Sequence, residues 1–387
     1  MSTGKESSTA KTRKIFISAG EQSGDLHTSS LVGEIKKLTA GNNIEFHGLG
    51  GEMMKKENVN LLYHINELST IGFVDVLKKY RFFKKVLKNC VKYIKYNNID
   101  VVVLVDYPGF NLRLAEGLRK FYTGKIVYYI SPQLWAWHEK RVLKIKKFID
   151  KMLVVFPFET EFYKKFGVDS AYVGHPLVKR IKQFLDENLK EKKIYGEQKV
   201  LTILPGSRKD EIKNHMPVLL KTALQLEKEF DIKVNISKAR GAGNDVFSRF
   251  ENEMKNFSLS SENVYSLILD ADVVLTKAGT STIECGLIGT PHAIFYKTFP
   301  LNYYLLKPIV KVDRLGMVNI LSDEMVIKEF VQNDFTPDNL LLETRRILTD
   351  EHYKEQLKEK LNRVWNLLGE EDASYNAAKI IVSFLNK

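Results

Sequence analysis

The run Val101–Val105 (VVVLV) is five aliphatic residues in a row, four of them β-branched, and it ends directly on a carboxylate, Asp106. A strand that is apolar at every position has no face to show to water, so it belongs inside a parallel sheet covered by helices on both sides. KIFISAG (14–20), IEFHGLGG (44–51), KIVYYISP (125–132) and KMLVVFPF (151–158) have the same form. Residues 26–38 carry their apolar side chains at helical spacing. A second series opens at VLTILPGSR (200–208) and continues through KVNISKA (233–239), NVYSLI (263–268), ADVVLTKAG (271–279) and PHAIFY (291–296), all read as strands. Strands alternating with helical segments predict parallel βαβ units.

Two such series in 387 residues predict an α/β chain of two Rossmann-like, doubly wound parallel-sheet domains with a cleft between them. The charged stretch 184–199 is the expected linker between an N-terminal domain (14–183) and a C-terminal one from residue 200, and the polar, basic residues 1–13 read as a loose tail. No apolar run reaches the eighteen residues of a membrane span, and the first residues lack the apolar core of a secretory signal. Cys90 and Cys285 are the two cysteines, without metal-ligand spacing, so a reducing cytoplasm fits and no metal is expected.

The net charge of +12 is uneven. Residues 1–180 hold 30 Lys and Arg against 17 Asp and Glu, whereas the rest hold 29 against 30. The first half should therefore meet something anionic. Its basic runs carry no RNP, KH or zinc-finger pattern, which argues against nucleic acid. Residues 76–95 put Val76, Tyr80, Phe83, Leu87, Cys90 and Ile94 on one helical face, and eight Lys or Arg with no acid fill 78–95. Packing against a sheet accounts for the apolar stripe but not for the missing acids. An anionic membrane surface accounts for both, with Lys78, Lys79, Arg81, Phe82, Lys84, Lys85 and Lys88 facing it.

Four strand ends carry candidate chemistry. Gly279, Thr280, Ser281, Thr282, Ile283 and Glu284 follow a strand and open a helix, where free N–H groups and the helix dipole suit a diphosphate and Glu284 suits ribose hydroxyls. The same residue types also make a plain helix start with a capping box. Gly206, Ser207 and Arg208 end another strand, and the Arg fork suits a phosphate. Glu21, Ser23, Gly24, Asp25 and His27, in GEQSGDLH, end the first strand and suit substrate handling, or a capped turn with Asp25 as N-cap. Asp106 suits a general base if burial raises its pKa, or else simply caps its loop. His138 and His175 are further titratable candidates. Neither G-x-G-x-x-G nor a Walker sequence is present.

GEQSGD (20–25), FHGLGG (46–51), STIGFVDVL (69–77), VDYPGFN (105–111), SPQLWAWH (131–138), VFPFE (155–159), YVGHPL (172–177), LPGSR (204–208), KAGTSTIE (277–284) and MVNIL (317–321) together resemble the lipid-A-disaccharide synthase family, from about Lys14 to the C-terminus. The resemblance implies the GT-B fold, with a C-terminal domain over 200–366 and a last helix, 367–387, crossing back to the first domain. It implies inverting, metal-independent transfer from UDP-2,3-diacylglucosamine to 2,3-diacylglucosamine 1-phosphate, with no cofactor, at the inner face of the inner membrane. A homodimer is compatible with it. It assigns the donor UDP to Gly206, Ser207, Arg208, Gly279–Thr282 and Glu284, adds Asn319 and Gln332 near that site, and turns Glu21, Ser23, Gly24 and Asp25 toward the acceptor. Relatives can carry a carboxylate where this chain has Gly109, so the base is Asp106, or else Glu21 or His27. Another GT-B transferase, or an epimerase using a UDP-amino sugar, is the alternative.

Overall fold

The computed structural model describes residues 12–40, 43–69, 76–188, 198–238, 244–300, 303, 305 and 307–386, without the side chains at 69, 76–79 and 244. Two compact units result, one from the described residues up to Pro176 together with Glu371 onward, the other from Leu177 to Glu370.

The first unit runs β1 (Arg13–Ala19), α1 (Gln22–Leu38), β2 (Ile44–Gly50), α2 (Glu52–Lys56), β3 (Asn60–His64), α3 (Ile65–Ser69), α4 (Val76–Tyr96), β4 (Val101–Val105), α5 (Pro108–Leu118), β5 (Lys125–Tyr129), α6 (Val142–Phe148), β6 (Lys151–Val154), α7 (Pro157–Lys165) and β7 (Ser170–Tyr172). Its seven strands are all parallel, in the order β3-β2-β1-β4-β5-β6-β7. The all-aliphatic β4 lies centrally with every residue buried, as its composition demands. Helix α1 has Asp25 in its first turn and Lys36 and Lys37 in its last, matching the helix dipole at both ends.

The second unit runs α8 (Pro176–Asn188), β8 (Lys199–Leu204), α9 (Lys209–Glu229), β9 (Ile232–Ser237), α10 (Asn244–Phe247), β10 (Ser258–Ser260), α11 (Val264–Leu269), β11 (Val273–Lys277), α12 (Thr280–Ile288), β12 (His292–Tyr296), α13 (Met317–Ser322), β13 (Glu329–Val331), α14 (Pro337–Thr349) and α15 (Glu351–Leu368). Its parallel order is β10-β9-β8-β11-β12-β13. The last helix, α16 (Ala373–Leu385), belongs to the first unit and packs on α1; Asp372 caps it by accepting from Ser374 N and Tyr375 N at 3.1 Å each.

Three expectations change. NVYSLI is not a strand: Asn263 accepts from Tyr265 N at 3.1 Å and caps α11. This is Asx chemistry that an apolar-run reading overlooks. On α4 the expected inward stripe holds at Phe83, Leu87, Cys90 and Ile94, which pack on the core together with Val86, but fails at Tyr80, which is 58% exposed. Phe82, expected to face outward, is half-buried and meets the Tyr63 ring edge-on at 6.2 Å. Arg81, Lys84, Lys85 and Lys88 are exposed, whereas the side chains of Lys78 and Lys79 lie outside the described residues. So do tail residues 1–11 and linker residues 189–197; residues 184–188 complete α8.

Candidate active site at the strand-order switch of each sheet

In each sheet the order reverses once, between β1 and β4 in the first unit and between β8 and β11 in the second. Crossovers leave on opposite sides at such a point, so the carboxyl ends of the two strands flank an open crevice. Ala19 pairs with Val105 at the end of the first register, and Leu204 with Thr276 at the end of the second. The next residues are Gly20-Glu21 and Asp106 in one unit, and Pro205-Gly206 and Lys277 in the other. Sequence-derived candidates thus meet at both switch points.

In the first unit, β4 turns into α5 through two successive left-handed residues, Asp106 (φ 45°) and Tyr107 (φ 50°). Neither is glycine, so the turn is strained and must be held from outside. Asn111, fully buried, holds it. Its Nδ2 donates to the carbonyls of Asp106 (2.7 Å), Val105 (3.1 Å) and Ser18 (3.3 Å), while its Oδ1 accepts from Ser18 Oγ at 2.7 Å. Tyr128 Oη donates to the Asp106 carbonyl at 2.6 Å. Gly20 is required because a Cβ there would lie 2.2 Å from the Tyr107 ring. Burial first, and the Glu21 carboxylate second, push Asp106 up to about 6 against the hydrogen bond from the Tyr107 amide. Gly109 is exposed, and among the described residues nothing lies within 4 Å of where its Cβ would be.

The other GEQSGD residues divide. Glu21 precedes α1 and is exposed, as is Ser23. Gly24 is buried, and a Cβ there would lie 3.4 Å from the Ala19 Cβ. Asp25 is not the N-cap of its own helix. It is buried inside α1 and caps α2, accepting from Gly51 N (2.7 Å), Met53 N (3.0 Å) and Met54 N (3.0 Å). A Cβ at Gly51 would come within 2.6 Å of its Oδ2, which explains that glycine. His27 is half-buried, and burial with the nearby His27 pushes His175 down to about 3. His138 is left-handed (φ 57°), its ring 4.7 Å from the Trp137 ring. Glu159, fully buried and pushed up to about 7 by that burial, accepts from Ser131 Oγ (2.5 Å), Trp135 Nε1 (3.1 Å) and the amides of Val155 (3.2 Å) and Phe156 (3.1 Å), tying the SPQLW loop to α7.

In the second unit, Gly206 (φ 122°) lets the chain turn sharply out of β8, and Arg208 precedes α9 with its side chain 75% exposed. Glu211 gathers this turn. Its Oε2 accepts from the amides of Ser207 (3.3 Å) and Arg208 (3.4 Å), and its Oε1 meets Arg208 Nη1 (3.3 Å) and Lys277 Nζ (3.2 Å). Burial opposes its charge, yet Lys277 and the other donors hold it below the usual carboxylate value. Half of a capping box forms here, Glu211 at the third helical position accepting from the Arg208 amide while the Arg side chain has nothing to accept with, and none forms at 279–284, where Gly279 is the N-cap.

Across the switch, α12 begins after Gly279, and among the described residues Lys277 Nζ, at 3.7 Å, is the atom that approaches where a Cβ would be there. Thr280 is exposed. Ser281 Oγ bonds Thr276 Oγ1 (2.7 Å) and the Lys277 carbonyl (3.2 Å), and buried Thr282 donates to the Gly279 carbonyl (2.8 Å). These two hydroxyls shape the turn, while Thr280 is exposed and Gly279 is partly exposed beside Lys277 Nζ. Burial pushes Glu284 up to about 7, with Arg180 of α8 pulling the other way. Asn319 is fully buried; it donates to the Ile327 carbonyl and Glu329 Oε1, both at 2.7 Å, and accepts from Ile327 N at 2.9 Å. Gln332 (φ 54°) bonds the Thr298 backbone at both ends, accepting from its N (2.7 Å) and donating to its O (3.2 Å). Both hold loops, and neither has its amide free. Among the described residues no group of three His, Cys, Asp or Glu side chains is placed to hold a metal ion.

Sequence reasoning missed Asn111, Glu211, Lys277, His215 and Glu329. Buried His215 joins two loop carbonyls, Pro205 O at 2.8 Å and Lys297 O at 3.0 Å. Glu329 accepts from Leu315 N (2.8 Å) and Gly316 N (2.9 Å) at the start of α13. Only Glu211 carried a readable signal, a Glu three residues after a turn.

The fold is shared with solved proteins of low sequence identity. S. aureus MnaA, solved with UDP, aligns with a TM-score of 0.69 at 13% identity over 97% of each chain. Acinetobacter baumannii MurG aligns with a TM-score of 0.58 at 13% identity over 96% of this chain and 100% of its own. Both likenesses establish the two-Rossmann-domain GT-B fold. In sequence, the lipid-A-disaccharide synthase of Geobacter sulfurreducens is 35% identical over 378 residues, covering 97% of this chain and 98% of that relative. Lipid-A-disaccharide synthase 1 of Legionella pneumophila (strain Paris) is 32% identical over 96% of this chain and 97% of its own. The family model described as Lipid-A-disaccharide synthetase matches residues 15–383. With β1 near the start of that match and α16 near its end, the chain belongs to the lipid-A-disaccharide synthase family.

Proposed function

We propose that the chain transfers the diacylglucosaminyl group of UDP-2,3-diacylglucosamine to the 6-hydroxyl of 2,3-diacylglucosamine 1-phosphate. The products are the β-1,6-linked lipid A disaccharide 1-phosphate and UDP. Beyond family membership, one observation carries the reading. At the β8/β11 switch, the open face of Gly279 and the first amides of α12 stand beside the Gly206–Arg208 turn. Such an arrangement suits a diphosphate by geometry and by dipole.

In this reading Arg208, Ser207, Gly206 and the Gly279–Thr280 amides receive the UDP diphosphate, and Glu284 receives ribose hydroxyls. Asp106 takes the proton of the acceptor 6-hydroxyl, and Glu21 sets how readily it does so. The 6-oxygen forms its bond to the anomeric carbon from the face opposite UDP. The bond from that carbon to the β-phosphate oxygen breaks, and the electron pair leaves with UDP, so the configuration inverts. Charge growing on the diphosphate is met by Arg208 and the α12 dipole, a contribution of about 3–4 kcal/mol per donor. Among the described residues no helix is long and apolar enough to cross a membrane. We assign attachment to an anionic membrane surface at the cytoplasmic face to the exposed basic side of α4.

Incubation with both lipid substrates should give disaccharide phosphate and acceptor-dependent UDP release. UDP release without acceptor, or UDP-sugar epimerisation, would refute transfer. Arg208→Ala should slow turnover roughly 100-fold, and an undiminished rate would remove Arg208 from the reaction.

A further inference from the structure

Lys277 opens the KAGTSTIE motif but receives no role from it. It is the last residue of β11, two residues before Gly279. Its side chain is only 20% exposed, yet its Nζ is the atom nearest the open face of Gly279, 3.7 Å from where a Cβ would be. A ligand close enough to use the amides that begin α12 is therefore within contact range of an ammonium group. Two features keep it there. Glu211, itself 16% exposed, accepts from Nζ at 3.2 Å, and the Tyr296 ring lies 5.9 Å beneath it. Both come from neighbouring strand ends, Glu211 from the turn after β8 and Tyr296 from the end of β12.

The charges around Glu211 are unbalanced in a useful way. One carboxylate faces two cations, Arg208 Nη1 at 3.3 Å and Lys277 Nζ at 3.2 Å, while also accepting the Ser207 and Arg208 amides. Without a ligand the cluster keeps an excess positive charge beside a helix N-terminus. One anionic phosphate group of a diphosphate would neutralise it, and would do so in a partly desolvated place where charge counts for more.

We propose that Lys277 is a catalytic residue that binds the donor diphosphate directly, and that Glu211 is the positioning residue that holds Lys277 and Arg208 in register for it. The proposal rests on the UDP-sugar reading above and deepens it. The Gly279 turn supplies fixed dipoles, whereas Lys277 supplies a full charge that follows the departing UDP. In the resting enzyme Glu211 keeps that ammonium from collapsing onto the turn's own carbonyls.

Calorimetry with UDP and with uridine tests this on the full chain. Lys277→Met should weaken UDP binding about 10- to 100-fold, with uridine affinity unchanged as the measure of an intact fold. Lys277→Arg should restore UDP affinity to within a few-fold. The salt dependence of UDP binding should flatten in Lys277→Met. Glu211→Gln should weaken UDP binding in the wild-type background more than in Lys277→Met, because the two residues act as a unit. Equal UDP affinity in wild type and Lys277→Met, or an equal loss for uridine, would overturn the role of Lys277. Tighter UDP binding in Glu211→Gln would overturn positioning by Glu211. Absence of any heat with UDP in the wild-type protein would instead strike the donor reading itself.

Discussion

The side-chain amide of Asn111 donates to the carbonyl of Asp106 at 2.7 Å, from a position with no solvent exposure. It spans two strands, since it also reaches Val105 and Ser18, and it holds a turn of two left-handed residues that has no glycine to relax it. Asn111→Ala leaves buried carbonyls without a donor. The expected loss is about 2–3 kcal/mol in urea unfolding. Turnover should fall as well, with UDP affinity retained, because the turn proposed to bind UDP belongs to the other unit. A variant as stable as wild type would show that Tyr128 alone holds the elbow.

The Asp106 carboxyl titrates near 6 because of burial and of Glu21. As the proposed base, Asp106 works only when ionised, so kcat/KM should rise with pH through about 6. Glu21→Gln removes one of the two raising influences and should move that limb to lower pH. An unmoved limb would separate Glu21 from Asp106. The same shift bears on stability. The folded pKa exceeds the unfolded one, so the folded state holds more protons between about 4 and 6, and this contribution to stability is lost as pH rises through that window. Asp106→Asn should accordingly be inactive yet more stable than wild type at pH 7.

Asp25 spends its carboxylate on three backbone amides at the start of α2. Asp25→Ala should cost about 2–3 kcal/mol, more than an ordinary cap, because the acceptor is charged and buried. The chain should melt earlier while its calorimetric response to UDP persists. Loss of acceptor turnover without any loss of stability would instead speak for direct substrate contact.

Helix α4 exposes Arg81, Lys84, Lys85 and Lys88. Attraction to an anionic bilayer amounts to about 1 kcal/mol per basic residue near the surface. A Lys84→Glu, Lys85→Glu, Lys88→Glu variant should therefore lose at least about tenfold in sedimentation with phosphatidylglycerol vesicles. Binding that survives both this variant and high salt would place the membrane contact elsewhere.

Much of the architecture was legible because buried parallel strands leave runs such as VVVLV that few other structures tolerate. Strand ends were legible too, and with them Gly206, Gly279 and Asp106. The failures have a common cause. NVYSLI, and Asp25 as the N-cap of its own helix, were judged by type and position along the chain, but what they do depends on which backbone groups lie across from them. A side chain that serves distant amides, as Asp25 serves Gly51, leaves no local pattern. Lys277 and Glu211 were overlooked for the same reason: they lie 66 positions apart in the chain and 3.2 Å apart in space.

Among the described residues nothing crowds the outward direction at Gly109, in the first turn of a helix whose entry is locked by Asn111. The side chain carried at 109 is thus decoupled from the architecture of this elbow. A carboxylate introduced there would add a second acid after Asp106 without displacing any described neighbour, so the acidity of the corner can change while the path of the chain does not.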